Sequence, residues 1–172
     1  NGENYPFEAW NADQTLQSAM TSSVNWYFQS IDEQLASTNI YNYIQQIGYG
    51  NENVSGDLST YWLESSLKIS PVEQVELLMK LQNNSLGFSS ENINAVKDSI
   101  CLSSSNTGKF YGKTGTGRVG GQDVNGWFIG YIEIVNNIYF FATNIGADNN
   151  ATGSNAAEIT MSILSDMNIW TQ

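Results

Sequence analysis

Lys113-Thr114-Gly115-Thr116-Gly117 is the stretch of this 172-residue chain best suited to chemistry. A lysine followed by a hydroxyl residue presents a cation and a hydrogen-bond donor on one rim, which suits a ligand carrying a carboxylate beside a reactive carbonyl. The glycines leave the backbone bare enough for another molecule to approach closely. Phe110 and Tyr111 ahead of them read as a strand entering from the core, so the motif would form a binding wall at a strand edge. Taken alone, Lys-Thr-Gly also describes a glycine-rich hairpin with solvated side chains. Ser23 and Asn25, in Ser22-Ser23-Val24-Asn25, form a second polar group, and by itself Ser23 is only a serine inside a helix.

Composition removes several alternatives. The chain has no histidine, which excludes a Ser-His-Asp or Cys-His nucleophile and any His-bearing zinc site. Proton transfer must then use Lys, Asp, Glu or Tyr, and neither a metal nor a cofactor is expected. Six basic against seventeen acidic residues give a net charge of −11, which repels nucleic acid and anionic membrane surfaces. The lone Cys101 cannot close an internal disulfide, and its flanks Ile100 and Leu102 predict a buried, inert thiol. No segment approaches the roughly 18 to 20 apolar residues needed to span a bilayer. With 41% hydrophobic and 12% aromatic residues, one globular domain with a sizeable core is expected.

The elements that must position these groups follow from periodicity. Asn1–Asn11 reads as an irregular approach held by Tyr5, Phe7 and Trp10. A helical region spans about 12–102. In it, Leu16, Ala19, Met20, Val24 and Phe28 recur at helical spacing, with Asp13 or Thr15 as cap and a break near Ser37-Thr38-Asn39. Residues 51–59 form a polar loop. Ser70-Pro71-Val72-Glu73 is a helix start, with Ser as N-cap, Pro at N1 and Glu reaching back, followed by a stripe of Val72, Val75, Leu78, Met79 and Leu81. Another helix starts near Ser89 or Ser90. Strands dominate about 109–145, with Asn136-Asn137 as a hairpin turn. A last helix over about 154–168 would lay Ala157, Ile159, Ile163 and Leu164 on the sheet.

Further blocks accompany the strand motif: Gly126-Trp127-Phe128-Ile129-Gly130-Tyr131, Tyr139-Phe140-Phe141-Ala142-Thr143-Asn144, and Tyr61-Trp62-Leu63-Glu64-Ser65-Ser66-Leu67-Lys68-Ile69-Ser70. In this order and spacing, with Ser23-Val24-Asn25, the chain resembles the penicillin-recognising serine acyl-enzymes, above all BlaR/MecR-type β-lactam sensor domains, with class D β-lactamases close behind. The resemblance covers nearly the whole chain. It implies an α/β (α+β) transpeptidase-like fold, an antiparallel sheet flanked by helices, lacking its N-terminal part. It also implies roles. Ser23 would relay a proton to the leaving nitrogen and Asn25 would hold the ligand's amide. Lys113, Thr114 and Thr116 would anchor a carboxylate, Gly115 would let the ligand approach, and the N–H of Thr116 would complete an oxyanion hole. Trp62 matches a loop tryptophan beside the active lysine of class D enzymes.

The chain also departs from the pattern. Ser65-Ser66-Leu67-Lys68 satisfies Ser-x-x-Lys but follows the Ser-x-Asn block instead of preceding it, so Lys68 reads as structural. The acylated serine and its lysine are expected upstream of Asn1, in a longer protein, and this chain alone should form no covalent adduct with penicillin. Arg118 reads as a solvated charge at a strand end. The resemblance implies a sensor of β-lactam antibiotics that induces resistance, placed on the extracellular face of a bacterial membrane by an anchor outside this chain. The alternative is a secreted class D β-lactamase that hydrolyses them. An uncovered sheet edge would let two copies pair as a homodimer.

Overall fold

The computed structural model describes residues 4–170; the first three residues of the expected approach segment lie outside them. A 3-10 turn at Glu8–Asn11 precedes helices α1 (Leu16–Thr21), α2 (Asn25–Ile47), α3 (Pro71–Gln82) and α4 (Ser90–Ser99). Strands β1 (Cys101–Ser104), β2 (Gly108–Val119), β3 (Gln122–Ile134) and β4 (Asn137–Gly146) follow, and α5 (Gly153–Asp166) closes the described chain. The strands form one antiparallel sheet in the order β1-β2-β3-β4. The expected sheet flanked by helices is thus observed.

Most helix starts follow from local chemistry. Thr15, Ser70, Ser89 and Thr152 each accept a hydrogen bond from the backbone N–H three residues on, satisfying a donor that the helix leaves without a partner. Ser70 and Glu73 form the reciprocal capping box with Pro71 at the first position. Helix α2 is the exception. Its N-cap is the fully buried Val24, without a side-chain cap, so packing fixes where it begins. Its path breaks at Ala36 (φ 61°, ψ 155°), one residue before the expected break.

The core divides by strand alternation. Phe110, Phe128 and Ile132 meet Ala156 and Leu164 of α5 on one face of the sheet. On the other face Tyr111 and Tyr131 meet Leu78 of α3 and Ile100. The register explains the division: Phe110 pairs with Ile132 and Tyr111 with Tyr131, and successive residues of a strand point to opposite faces.

Several expectations are corrected. Helical structure stops at Ser99, and Cys101 and Leu102 lie in β1, with Cys101 paired to Tyr111. A residue on this short outer strand is covered less than one in a core helix, so Cys101 is half-buried and not buried. Helix α3 turns Gln74 and Leu78 inward and leaves Val72 69% and Met79 47% exposed, because it meets β3 and β4 along its Gln74–Leu78 line. Helix α5 buries Gly153, Ala156, Thr160 and Leu164, leaving Ile159 and Ile163 exposed. Small residues let it lie close on the sheet, where Thr160 Oγ1 sits 2.6 Å from Thr143 Oγ1. The hairpin turn is Val135-Asn136, one residue early, with Asn136 in the left-handed region (φ 66°).

Gly130 sits where β3 crosses the packed middle of the sheet. A Cβ there would fall on the Tyr111 carbonyl oxygen and lie 2.7 Å from Phe141 Cζ. Gly130→Ala is expected to destabilise the fold by about 1–3 kcal/mol, the usual cost of overpacking. Urea unfolding should show a lower midpoint with an unchanged slope.

Candidate functional site

One wall of the site is the corner between α1 and α2. Ser23 has φ 50°, in the left-handed region that non-glycine residues rarely occupy, and the surrounding bonds hold it there. Its N–H donates to Met20 O, and the N–H of Val24 donates to Ala19 O at 2.8 Å. The Trp10 indole donates to Ser22 O, and the Trp26 indole donates to Trp10 O, both at 3.0 Å. With Ala19 and Val24 fully buried, the corner is rigid and the Ser23 side chain stands exposed upon it. Ser23 therefore lies between two helices and not inside one. Asn25, half-buried, is the first residue of α2.

The other wall is the outer edge of β2. The short β1 pairs only with Lys109, Phe110 and Tyr111, and Gly112 N–H makes the last bond on that side, to Ile100 O at 2.8 Å. Since Gly112 N–H points outward, the two-residue period of the strand points the N–H groups of Thr114 and Thr116 the same way, off an edge that no strand among the described residues covers.

The walls meet at Lys113. Its Nζ donates to Ser23 Oγ at 2.5 Å and to Thr114 O at 2.8 Å. Among the described residues the ion pairs are Lys68–Glu64 and Arg118–Asp123, and Lys113 belongs to neither. Burial without an anionic partner disfavours the charged form, so the Lys113 ammonium titrates below its ordinary value. With the ammonium donating to Ser23 Oγ, the Ser23 hydroxyl proton stays available to a third group in the groove.

The remaining predicted residues fall into two groups. Alternation places Lys113 and Gly115 on one face of β2, and Thr114 and Thr116 on the α5 face. There Thr116 Oγ1 accepts from Gly153 N–H at 2.9 Å, and a Cβ on Gly153 would come within 2.9 Å of Thr114 Cβ. The N-terminus of α5 thus braces the strand motif. Trp62 is tied elsewhere: its indole donates to Asp32 Oδ2 on α2 at 3.1 Å, and no described bond joins it to Ser23 or Lys113. Asp32 also accepts from Tyr61 at 3.5 Å, and burial raises its carboxyl despite both bonds.

Ser65-Ser66-Leu67-Lys68 lies in irregular chain. Ser66 Oγ donates to Asn53 O at 2.9 Å and accepts from Gly56 N–H at 3.0 Å, while the Lys68 side chain is 58% exposed. This is a loop stitched to itself. Arg118, 65% exposed, pairs with Asp123 at 2.8 Å across the β2–β3 turn. Sequence reasoning missed Asp32, Glu64, Asn125 and Gly153. Each acts through a partner distant in the chain, and no local pattern marks it.

The Lys113 shift has a consequence for stability. The folded protein holds this proton less tightly than the unfolded chain does, so stability should rise with pH between the folded and the unfolded value. The difference in urea-unfolding free energy between the native protein and Lys113→Met should therefore move in favour of the native protein as pH rises toward the ordinary lysine value. A difference independent of pH would contradict this account.

The comparisons with known proteins follow the same geometry. Residues 1–165 match the family described as the penicillin binding protein transpeptidase domain. Regulatory protein BlaR1 of Bacillus licheniformis is 47% identical over 169 residues, covering 98% of this chain and 28% of that protein. The methicillin resistance mecR1 protein of Staphylococcus aureus (strain Mu50 / ATCC 700699) is 44% identical over 165 residues, 96% of this chain and 28% of its own length. The C-terminal domain of the Bacillus licheniformis BlaR penicillin-receptor superposes with a TM-score of 0.93 at 46% identity, over 99% of this chain and 69% of that one. Class D β-lactamase BAT-2 superposes at 0.91 with 37% identity, over 100% of this chain and 70% of that one. Two walls built from sequence positions far apart, and matches of this extent, agree: the chain belongs to the penicillin binding protein transpeptidase family, with regulatory protein BlaR1 and the methicillin resistance mecR1 protein among its relatives.

Proposed function

We propose that this chain is the recognition half of a β-lactam sensor whose acylation induces β-lactam resistance. The observation that carries the reading is the Lys113–Ser23 hydrogen bond, which sets the strand motif and the Ser-x-Asn corner on either side of one groove. The identity to BlaR1 and MecR1 favours a sensor over a hydrolase.

The reaction divides between this chain and a serine of the longer protein, upstream of Asn1. That serine attacks the lactam carbonyl and gives its proton to the lysine of its own Ser-x-x-Lys motif. The oxyanion that forms accepts from Thr116 N–H, which points off the open edge of β2. When the C–N bond breaks, the leaving nitrogen takes a proton from the Ser23 hydroxyl, which is replenished through the lysines. Lys113, held short of a carboxylate partner, supplies the positive potential that draws the antibiotic's acid group to the open edge of β2, while Thr114 and Thr116 turn their side chains to α5 and brace that edge from behind. Asn25 holds the side-chain amide. Trp62, bonded to Asp32, ties its loop to α2. In the longer protein a membrane anchor places this domain on the extracellular face. Among the described residues no helix is long and apolar enough to cross a membrane.

Chromogenic cephalosporin added to the longer natural protein tests the proposal. A sensor consumes one equivalent and stops, whereas continued turnover assigns the chain to the class D hydrolases. Ser23→Ala should lower the second-order acylation constant by about 10²-fold, within the range of general acid–base contributions, with little change in melting temperature. This chain by itself should show no penicillin adduct by mass spectrometry. Pairing of two copies along β4, whose outer edge has no strand partner among the described residues, belongs to the same proposal. A monomeric mass by light scattering would remove it.

A further inference from the structure

Residues 51–69 form an irregular strap between α2 and α3 that touches both walls of the groove. Toward the helices, Asp32 receives the Trp62 and Tyr61 bonds, and the Gln29 side chain donates to Ser59 O at 3.0 Å. Toward the sheet, the contact is Glu64. Asn125 Nδ2 donates to Glu64 Oε1 at 2.7 Å, and Asn144 Nδ2 donates to Asn125 Oδ1 at 2.6 Å, so a chain of amides from β4 and β3 ends on this carboxylate. Asn125 pairs with Gly117 in the β2–β3 ladder. The Glu64 carboxylate occupies the space that any side chain at Gly117 would fill: a Cβ built there falls on Glu64 Oε1, with Cγ at 2.7 Å. Glu64 itself is in the left-handed region at φ 45°, a conformation costly for a non-glycine residue unless its surroundings hold it. Lys68 is 4.0 Å from the other carboxylate oxygen and 58% exposed, so the directed bond from Asn125 fixes the carboxylate more firmly than this ion pair does.

We propose that Glu64 is a positioning residue for β-lactam acylation, clamping the strap onto Gly117 so that it closes that end of the groove and fixes the spacing of the Lys113–Gly117 wall from Ser23. The inference rests on the functional reading above and deepens it. Asn125 is the partner through which Glu64 acts. A wall displaced by a fraction of an ångström misaligns the lactam carbonyl with its nucleophile, so the loss should fall on the acylation step and less on initial binding.

The test uses the longer natural protein and stopped-flow measurements with a fluorescent penicillin, which separate the precovalent Kd from the acylation rate constant. Glu64→Ala should reduce the rate constant about tenfold while Kd stays within about threefold. Asn125→Asp keeps the acceptor for Asn144 but replaces the donor to Glu64 with a second carboxylate, and should cause a loss of similar size. Adding Glu64→Gln to Asn125→Asp restores a donor–acceptor pair with reversed polarity and should return the rate constant to within about threefold of the native value. Amide hydrogen exchange over residues 61–66 should accelerate in both single variants and recover in the double variant. Single variants that acylate at the native rate, or a double variant that fails to recover, overturn the proposal. Unchanged exchange in the single variants overturns it whether or not penicillin reacts. A native protein that never acylates, with exchange behaving as stated, instead overturns the functional reading and leaves the clamp standing.

Discussion

The arrangement depends on a half-buried lysine without an acid to pair with. Lys113 leaves its strand to meet Ser23, a residue 90 positions earlier in the chain, and in doing so joins the helical and sheet halves of the molecule at one point. An ammonium in a partly dry place normally recruits a carboxylate, and here the described bonds go only to a hydroxyl and a carbonyl. The groove therefore keeps an unneutralised positive potential within a chain of net charge −11. That contrast concentrates positive potential at one spot while the net charge of the chain repels polyanions.

Two rigid bodies hold this contact in place. The α1–α2 corner is fixed by a tryptophan pair that bonds to backbone carbonyls and by the burial of Ala19 and Val24, so Ser23 can remain in a disfavoured backbone conformation. On the other side β2 is paired with β3 along its length, but its outer edge is paired at one end only. Pairing with β1 stops at Tyr111, and from Thr114 onward the backbone edge is open. An open edge is a hazard for aggregation when it is long and apolar. Here it is short, rich in glycine and hydroxyl groups, and braced from behind by α5 through the Thr116–Gly153 bond. The same absence of a neighbouring strand that would weaken a structural sheet leaves the outward N–H groups of this edge open to another molecule.

The strap across residues 51–69 adds a third support. It makes almost no regular structure, yet Asn51, Asn53 and Ser66 bond it to itself and Asp32 and Glu64 bond it to the two walls. Its stability comes from side-chain amides and hydroxyls bonding backbone groups within it and from carboxylates bonding side chains across its borders, which is why its composition reads as a surface loop. A loop so fastened behaves as part of the scaffold, and a ligand entering the groove meets a surface already formed.

Residues that act on their neighbours could be read directly. Ser70-Pro71-Val72-Glu73 named a helix start, the Lys113–Gly117 strand and the β3–β4 hairpin showed in local pattern, and the absence of histidine narrowed the acid–base chemistry, because caps, strands and proton carriers are properties of a few adjacent residues. The motif order likewise identified the family. What local pattern did not contain was every choice among equivalent faces and every partner brought in from afar. Apolar residues on α3 and α5 could be counted, but only the approach of the sheet decided that Val72, Met79, Ile159 and Ile163 would stay outside while Gln74 and Thr160 went in. Trp62 could be recognised, but only folding gave it to Asp32. Glu64, Asn125 and Gly117 share no sequence neighbourhood, and the fold alone places the carboxylate of the first beside the bare backbone of the last, because a contact between residues 53 positions apart is set by how elements pack and not by what any one of them prefers.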